Sequence, residues 1–514
     1  MSGPRLSDGE ILPLVRRLTG APDPLALHAA VTDGGKRHDT LLLESADAAT
    51  GVGERSVLVA RSMLRIECRG WSVSVETLSP NGVSLAPSIP RSFEHVTGVE
   101  LDERARLLAP GPLDALRAAA LAPRLVSEPE PFCHFAAGIF SYDLVDLYER
   151  LPDARSDKFD FPDYVFWLPD RTVIVDHKRN ATTIIALVVG GVHSEAAYHD
   201  AVRDVESLAR VVEETGAVSP SDVGSIAQPS GVSVDVDIDD EAYADLVRRL
   251  QRHVVAGDVF QIVPSRTFSV ECQDTLAAYA RLRAANPSPY QFLIRAPRFT
   301  LLGASPETAV SVEGTPRRVA IRPIAGTAPR GRTASGELDP ELDARHQTAL
   351  MTDAKELAEH LMLVDLARND VARVSRPGTR NVSRLLTVER YQHVMHLVSE
   401  VVGELGQGLD ALHAYAASLN MGTLVGAPKI RAAELLRRHE TTKRGAYGGA
   451  VGYLAHDGTL DTAIVIRSAF VQDGIAHVRA GAGVVLDSDP ATEARETRHK
   501  AAAVLRALTA RTTP

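Results

Sequence analysis

AYGGAVGYLAHDGTLDTAIVIRSAFVQDGIAHVRAGAGVVLDSDPATEARETRHKAAAVLRAL, residues 446–508, carries the pattern that decides the fold class. Two strand candidates, Ala446–Ala455 and Asp461–Val471, stand before a closing helix at Thr492–Leu508. Strands that run on before a helix intervenes do not have the strict βα alternation of a doubly wound sheet, so the expected class is α+β. Further upstream, strands are expected at Val259–Val270, Phe299–Ala304, Thr308–Glu313, Val319–Arg322 and Val394–Glu404. A long helical pattern covers Leu342–Asp370, and Pro428 opens another helix in the position proline prefers. Tyr243, Leu246, Val247, Leu250 and Val254 fall at helical spacing, and Gly257 ends that helix.

The amino-terminal part reads as mixed, with strands at Thr40–Ser45, Ser56–Ala60, Val73–Leu78 and Thr182–Val189 and a helix at Glu195–Glu214. Between the two parts, Thr215–Asp235 is rich in Ser, Gly and Pro and follows neither period, which marks a linker. The expected division is therefore 1–214, a linker over 215–237, and 238–514.

The chain has 514 residues, 56 basic against 66 acidic, with a net charge of −10 and 45% hydrophobic content. This is an ordinary globular composition with enough chain for a large core. The acidic balance excludes a general attraction for nucleic acid or anionic lipid, so any anionic ligand needs a local basic site. Arg5, Asp8 and Glu10 interrupt the first residues, which do not read as a signal peptide, and the apolar run Ile184–Val192 is too short to span a bilayer. No membrane partner is expected. Three widely spaced cysteines, Cys68, Cys133 and Cys272, offer neither a disulfide framework nor a paired-cysteine zinc site, and the cytoplasm is the expected compartment.

Glu356 and Glu359 in KELAEHLMLVDL, and Glu493 and Glu496 in ATEARETRHK, each place two carboxylates one helical turn apart. Two such pairs can supply hard oxygen ligands to Mg2+, although a solvated helix face explains each pair taken alone. His396 stands in a strand candidate as a general acid or base or as a core histidine. Arg467, in DTAIVIRSA, is a cation in an apolar strand and needs an anionic partner, while Lys500 lies one turn beyond Glu496. Glycines cluster in GAYGGAVGY (445–453) and AGAG (480–483), but neither a GxGxxG nor a GxxxxGK[ST] motif is present. The residues by themselves point to a Mg-assisted enzyme acting on a small anion.

FQIVPSR (260–266), ANPSPYQF (285–292), LLGASPET (301–308), RPIAGTAPRG (322–331), KELAEHLMLVDLARND (355–370), HVMHLVSEVVGEL (393–405), GTLVGAPKIRA (422–432), RGAYGGAVGY (444–453), DTAIVIRSA (461–469) and AGAGVVLDSDPATEARETRHKA (480–501) come in one characteristic order. In that order the chain resembles the chorismate-utilising enzymes, and most closely the large subunits of anthranilate synthases. The resemblance reaches back to LLLESAD (41–47) in a tryptophan-binding amino-terminal region. It implies large antiparallel sheets packed as a sandwich with helices outside.

It also implies a lyase reaction. Ammonia adds at ring carbon 2 of chorismate, the 4-hydroxyl departs, and pyruvate is eliminated to leave anthranilate for tryptophan biosynthesis. By the resemblance Mg2+ falls on Glu359 and Glu496, with Glu356 and Glu493 beside them through water. Chorismate contacts fall on Gly326, Thr327, Tyr447, Arg467, Gly481, Ala482, Gly483 and Lys500. Glu307 matches the acid that protonates the departing hydroxyl, His396 the histidine tied to pyruvate elimination, and Thr423 a position in the substrate pocket. Glu44, Ser45, Pro287, Ser288 and Pro289 match an effector site for L-tryptophan as feedback inhibitor.

Two positions bear on the nucleophile. Gln261 stands where the water-using relatives have a lysine base, and Ala325 where the aminodeoxychorismate synthases have a lysine nucleophile. Neither side chain can do that work, which leaves free ammonia. None of the cysteines has the context of a glutaminase nucleophile, so a separate glutamine amidotransferase subunit is the expected partner, in a heterodimer or heterotetramer. The chain departs from the family pattern at Ala328, Val425 and His499. Two alternatives stay open at this point: an aminodeoxyisochorismate synthase of secondary metabolism, and a non-catalytic tryptophan-binding regulatory subunit.

Overall fold

The computed structural model describes residues 6–45, 55–94, 101–127, 131–154, 156–216, 233–333, 335–391 and 394–510. Residues 217–232 of the expected linker, and Ala46 and Asp47 of LLLESAD, lie outside them. The architecture is α+β. Among the described residues, 21 strands are linked by backbone hydrogen bonds into one continuous sheet system, and all but one of the pairings are antiparallel.

The two expected regions share this sheet at two seams. Thr40–Glu44 pairs antiparallel with Tyr290–Arg295, and Phe135–Phe140 pairs with Ala450–Ala455. The sheet curls so that one face encloses Leu41, Val57, Phe135, Trp167, Phe292, Leu301 and Val451. The helices Ser194–Glu214, Thr275–Ala285 and Pro490–Thr509 cover another face with Ala201, Tyr279 and Val504. Each large apolar side chain buried in this way contributes about 1.5–3 kcal/mol, and the core draws on both halves of the chain.

The expected strand Val394–Glu404 forms over those residues, and the closing helix runs from Pro490 to Thr509. Three expected elements are broken for local reasons. The helical pattern 342–370 becomes two helices, Pro340–Thr352 and Ala354–Val374, because the Asp353 carboxylate accepts from the backbone of Lys355 and Glu356 and starts a new helix. The strand expected over 461–471 becomes Leu460–Ile464 and Ser468–Gln472, interrupted by Arg467 at φ 50°. That over 446–455 begins only at Ala450, after a turn in which Gly448 adopts φ 76°.

At the second seam Gly138 faces Gly452 across the ladder. A Cβ on Gly138 would lie 2.1 Å from the Val165 carbonyl oxygen, and one on Gly452 2.0 Å from that of Asp461. Gly138→Val is expected to destabilise the protein by about 3 kcal/mol, read as a lower urea midpoint. Because the core is shared, tryptophan fluorescence and far-UV circular dichroism should report coincident transitions before and after the substitution.

Candidate active site

The two carboxylate pairs sit on the helices Ala354–Val374 and Pro490–Thr509, which start at the capping residues Asp353 and Asp489. Glu356 and Glu493 occupy the first turns, where unpaired backbone N–H groups favour negative charge. The tertiary fold brings the pairs into one electrostatic neighbourhood. Burial pushes the Glu359 carboxyl up to about 7, with Lys355 opposing the shift and Glu356, Glu493 and Glu496 adding to it. Burial also raises Glu356 and Glu493. Glu496 is held low against its burial by Lys500, whose ammonium lies 2.6 Å away. Glu493 Oε2 is buried and has no donor among the described residues.

Crowded carboxylates with an orphaned oxygen form a donor set suited to a hard divalent cation. Among the described residues, no three His, Cys, Asp or Glu side chains are grouped closely enough to hold a metal ion together. An open arrangement of one or two protein carboxylates, completed by water and substrate oxygens, is the mode usual for Mg2+.

The remaining predicted substrate residues form a connected wall. A Cβ on Gly326 would lie 3.2 Å from Glu356 Oε2, which puts this backbone directly against the acidic cluster. The neighbouring Thr327 hydroxyl lies 2.8 Å from His396 Nδ1. Burial, then the nearby Arg467 cation, push His396 down to about 4, so it is neutral at pH 7. Arg467 donates to the Lys500 carbonyl at 2.6 Å, and Lys500 Nζ donates to the Gly481 carbonyl at 3.0 Å. A Cβ on Gly481 would meet the Tyr447 hydroxyl at 3.2 Å, and one on Gly483 would meet Gln261 Nε2 at 2.7 Å. Two cations, a phenol and a bare backbone therefore border the acidic cluster.

Glu307 follows the strand Thr300–Ser305 and is 7% exposed. Burial pushes its carboxyl up to about 8, against the pull of the Thr423 hydroxyl, the Ile324 N–H and Lys500. Thr423 lies on the short helix Gly422–Val425, where a Cβ on Gly422 would lie 2.1 Å from Leu366 Cδ2. That glycine lets the short helix seat against Ala354–Val374. Of the departures from the family pattern, Ala328 is a strand residue opposite Met395, Val425 is buried and His499 is exposed.

Of the residues expected to bind an effector, Glu44 and Ser288 lie in another part of the sheet. Glu44 faces Gln291 across the ladder, beside the Pro287–Pro289 turn in which Ser288 is buried. Its carboxylate accepts from Tyr279 at 2.7 Å and pairs with Arg283 at 3.0 Å. Tyr290, which follows the turn, is the register partner of Ser305, whose hydroxyl accepts from the Glu307 N–H at 3.4 Å. The turn is thus tied to the backbone of Glu307.

Sequence reasoning missed Glu440. It is buried, and accepts from the Ser265 N–H and hydroxyl at 2.9 and 2.8 Å, from Arg444 at 2.6 Å and from Arg479 at 2.8 Å. Both guanidinium groups lie 5.9 Å from the Tyr447 ring centroid, and Ser265 is the register partner of Gly481. The network braces two substrate-wall residues. A lone acid in HETTKRG gives no sign of this, because two of its partners, Ser265 and Arg479, come from distant segments.

Although burial alone would raise the Glu440 carboxyl, Arg444 and then Arg479 lower it to about 2. With the folded value below the ordinary one of 4.5, its stabilisation is complete above pH 4.5 and disappears as pH falls through about 2. Glu440→Gln leaves two buried cations uncompensated and is expected to cost about 3–5 kcal/mol at pH 7. Acid titration of unfolding should also show that the variant has lost the stability change between pH 4.5 and 2.

A family profile described as chorismate binding enzyme matches residues 90–506. Anthranilate synthase component 1 of Vibrio cholerae is 47% identical over 95% of this chain and 94% of its own. A pyocyanine-specific component 1 from Pseudomonas aeruginosa is 48% identical over 91% of this chain and 90% of its own. The crystal structure of anthranilate synthase component I from Streptococcus pneumoniae superposes with a TM-score of 0.69 at 31% identity, over 88% of this chain and 92% of that one. The profile match spans both carboxylate pairs, and the chain belongs to the chorismate binding enzyme family.

Proposed function

We propose that this chain is the large, chorismate-binding subunit of an anthranilate synthase, converting chorismate and ammonia to anthranilate and pyruvate. The observation that carries the reading is the meeting of Glu356, Glu359, Glu493 and Glu496 with Arg467, Lys500 and a buried Glu307 in one site. Glu359 and Glu496 would hold Mg2+, with Glu356 and Glu493 reaching it through water. When bound, the ion withdraws electron density from the ring through the substrate's carboxylate.

The protein's own groups do the rest. Arg467, Lys500 and the Gly481–Gly483 backbone hold the dianionic substrate against the Tyr447 phenol. Glu307, mostly protonated at neutral pH, gives its proton to the departing 4-hydroxyl, so that water rather than hydroxide leaves. Ammonia attacks without a general base, consistent with Gln261 and Ala325 at the positions where relatives have lysines. The neutral His396, oriented by Thr327, then handles the proton that moves during pyruvate elimination.

A separate glutamine amidotransferase subunit, component II in the naming of the relatives, would deliver the ammonia. The three cysteines are free and buried, which suits a reducing compartment, and we place the enzyme in the cytoplasm. Among the described residues no helix is long and apolar enough to cross a membrane. The pyocyanine-specific relative separates the reaction from the pathway it serves. The Glu44 and Pro287–Pro289 site favours tryptophan biosynthesis under feedback by L-tryptophan.

The purified chain with chorismate, Mg2+ and ammonium should form fluorescent anthranilate and pyruvate in equal amounts, and glutamine should replace ammonium only when the partner subunit is present. An aminated product with no pyruvate would instead indicate an aminodeoxyisochorismate synthase. Glu359→Ala and Glu496→Ala should each lower turnover by about a hundredfold or more, whereas a regulatory subunit would show no turnover to lose. L-Tryptophan should inhibit the reaction, and Ser288→Leu should raise the half-inhibiting concentration by about tenfold or more while turnover without tryptophan persists. Unchanged sensitivity in that variant would refute the effector assignment.

A further inference from the structure

Behind Glu307 lies a chamber of about 30 Å3, enough for one or two water molecules. Its apolar wall includes Leu366 and Ala367 of the helix Ala354–Val374. Its polar wall holds Glu307, Thr423, Arg322 and Asp370. His396, Arg467, Tyr447 and Lys500 do not line it, whereas Glu307 and Thr423 do.

One buried donor of this wall, Arg322 Nε, has no hydrogen-bond partner among the described residues, and the Thr423 hydroxyl reaches only toward the Glu307 carboxyl. Leaving a buried N–H or hydroxyl unpaired is destabilising, and a water molecule touching two to four polar groups removes that cost. Asp370 is already paired with Lys429 at 2.6 Å. The Arg322 guanidinium leads outward: its terminal nitrogen donates to Glu389 at 2.6 Å and its side chain is 21% exposed.

We propose that this chamber holds water that reloads Glu307 with a proton after each turnover, on the side away from the substrate. The inference rests on the reading of Glu307 as the acid for the leaving hydroxyl. In the first half of the cycle the ring C–O bond breaks with its electron pair going to oxygen, the Glu307 proton joins that oxygen, and water departs. In the second half a chamber water protonates the Glu307 carboxylate and is itself reprotonated from solvent past Arg322. The ammonium formed on the ring releases a proton to solvent on the substrate side, so no net acid is consumed. Because burial pushes Glu307 up to about 8, the resting enzyme begins charged with its proton, and only later turnovers depend on the chamber.

The test is a rapid-quench comparison with Mg2+, chorismate and ammonium. Ala367→Leu fills the chamber, and Arg322→Met removes its inner donor at similar volume while leaving the substrate wall intact. Both variants are expected to form the first anthranilate per site within twofold of the parent rate, followed by a steady state at least tenfold slower in Ala367→Leu. A smaller slowing of the same kind is expected in Arg322→Met, which also decides the matter if the filled variant does not fold. Equal slowing of first and later turnovers, or a parental steady state in both variants, would overturn the proposal. Glu307→Gln separates the two readings. If it turns over like the parent, the acid assignment fails; if it abolishes the first turnover while the chamber variants behave as the parent, only the chamber role fails.

Discussion

Four carboxylates held close together repel one another, and the rest of the active site is arranged around that repulsion. Each pair starts a helix whose first-turn N–H groups favour negative charge, and each helix also carries a lysine, Lys355 or Lys500, that faces the acids. These partners do not neutralise the cluster. Glu359 remains raised to about 7 and Glu493 keeps an orphaned buried oxygen. On the proposed reading, a divalent cation would relieve this repulsion, and substrate oxygens brought to the ion would relieve it further.

The sheet is what keeps the repelling groups together. The helix Pro490–Thr509 packs on Ser265–Glu271 and Ile475–Gly481, while Ala354–Val374 packs on Ile324–Pro329 and Val394–Glu404. A shift of either helix would change both the carboxylate spacing and the wall formed by Gly326, Thr327 and His396. The Glu440 network applies the same principle to the cationic side. One buried anion fixes two arginines and Ser265, and these fix Tyr447 and Gly481. Since the sheet runs through both halves of the chain, the Glu44 site is mechanically joined to Glu307 through the register of Tyr290 with Ser305. On the proposed reading, an effector that prefers one arrangement of the Pro287–Pro289 turn would bias the site without touching the substrate.

Local pattern made much of the secondary structure readable. Val394–Glu404 was legible because β-branched residues recur at strand spacing, and Pro490–Thr509 because its apolar positions follow the helical period. The same reasoning failed at Asp353, where a capping carboxylate splits one helical pattern into two, and at Arg467, where a left-handed backbone breaks a strand. Both exceptions lie at the site, where function outweighs local preference. The carboxylate pairs were legible as pairs, since a three-residue separation fixes two side chains to one helix face. That the pairs meet was implied only by resemblance, because no local rule relates residue 356 to residue 496.

By itself the sequence determined the α+β class, the separate strands and helices, the helix faces bearing Glu356, Glu359, Glu493 and Glu496, and the family to which the ordered motifs belong. These are properties of short windows and of their order, set by side-chain period, capping and turn chemistry. The tertiary structure alone decided that the amino-terminal strands join the catalytic sheet, that Glu440 braces Tyr447, that the carboxylates crowd, and that a small chamber lies beside Glu307. Each of these depends on contacts between residues far apart in the chain. Such contacts are chosen by the packing of the whole core, which no stretch of sequence encodes alone.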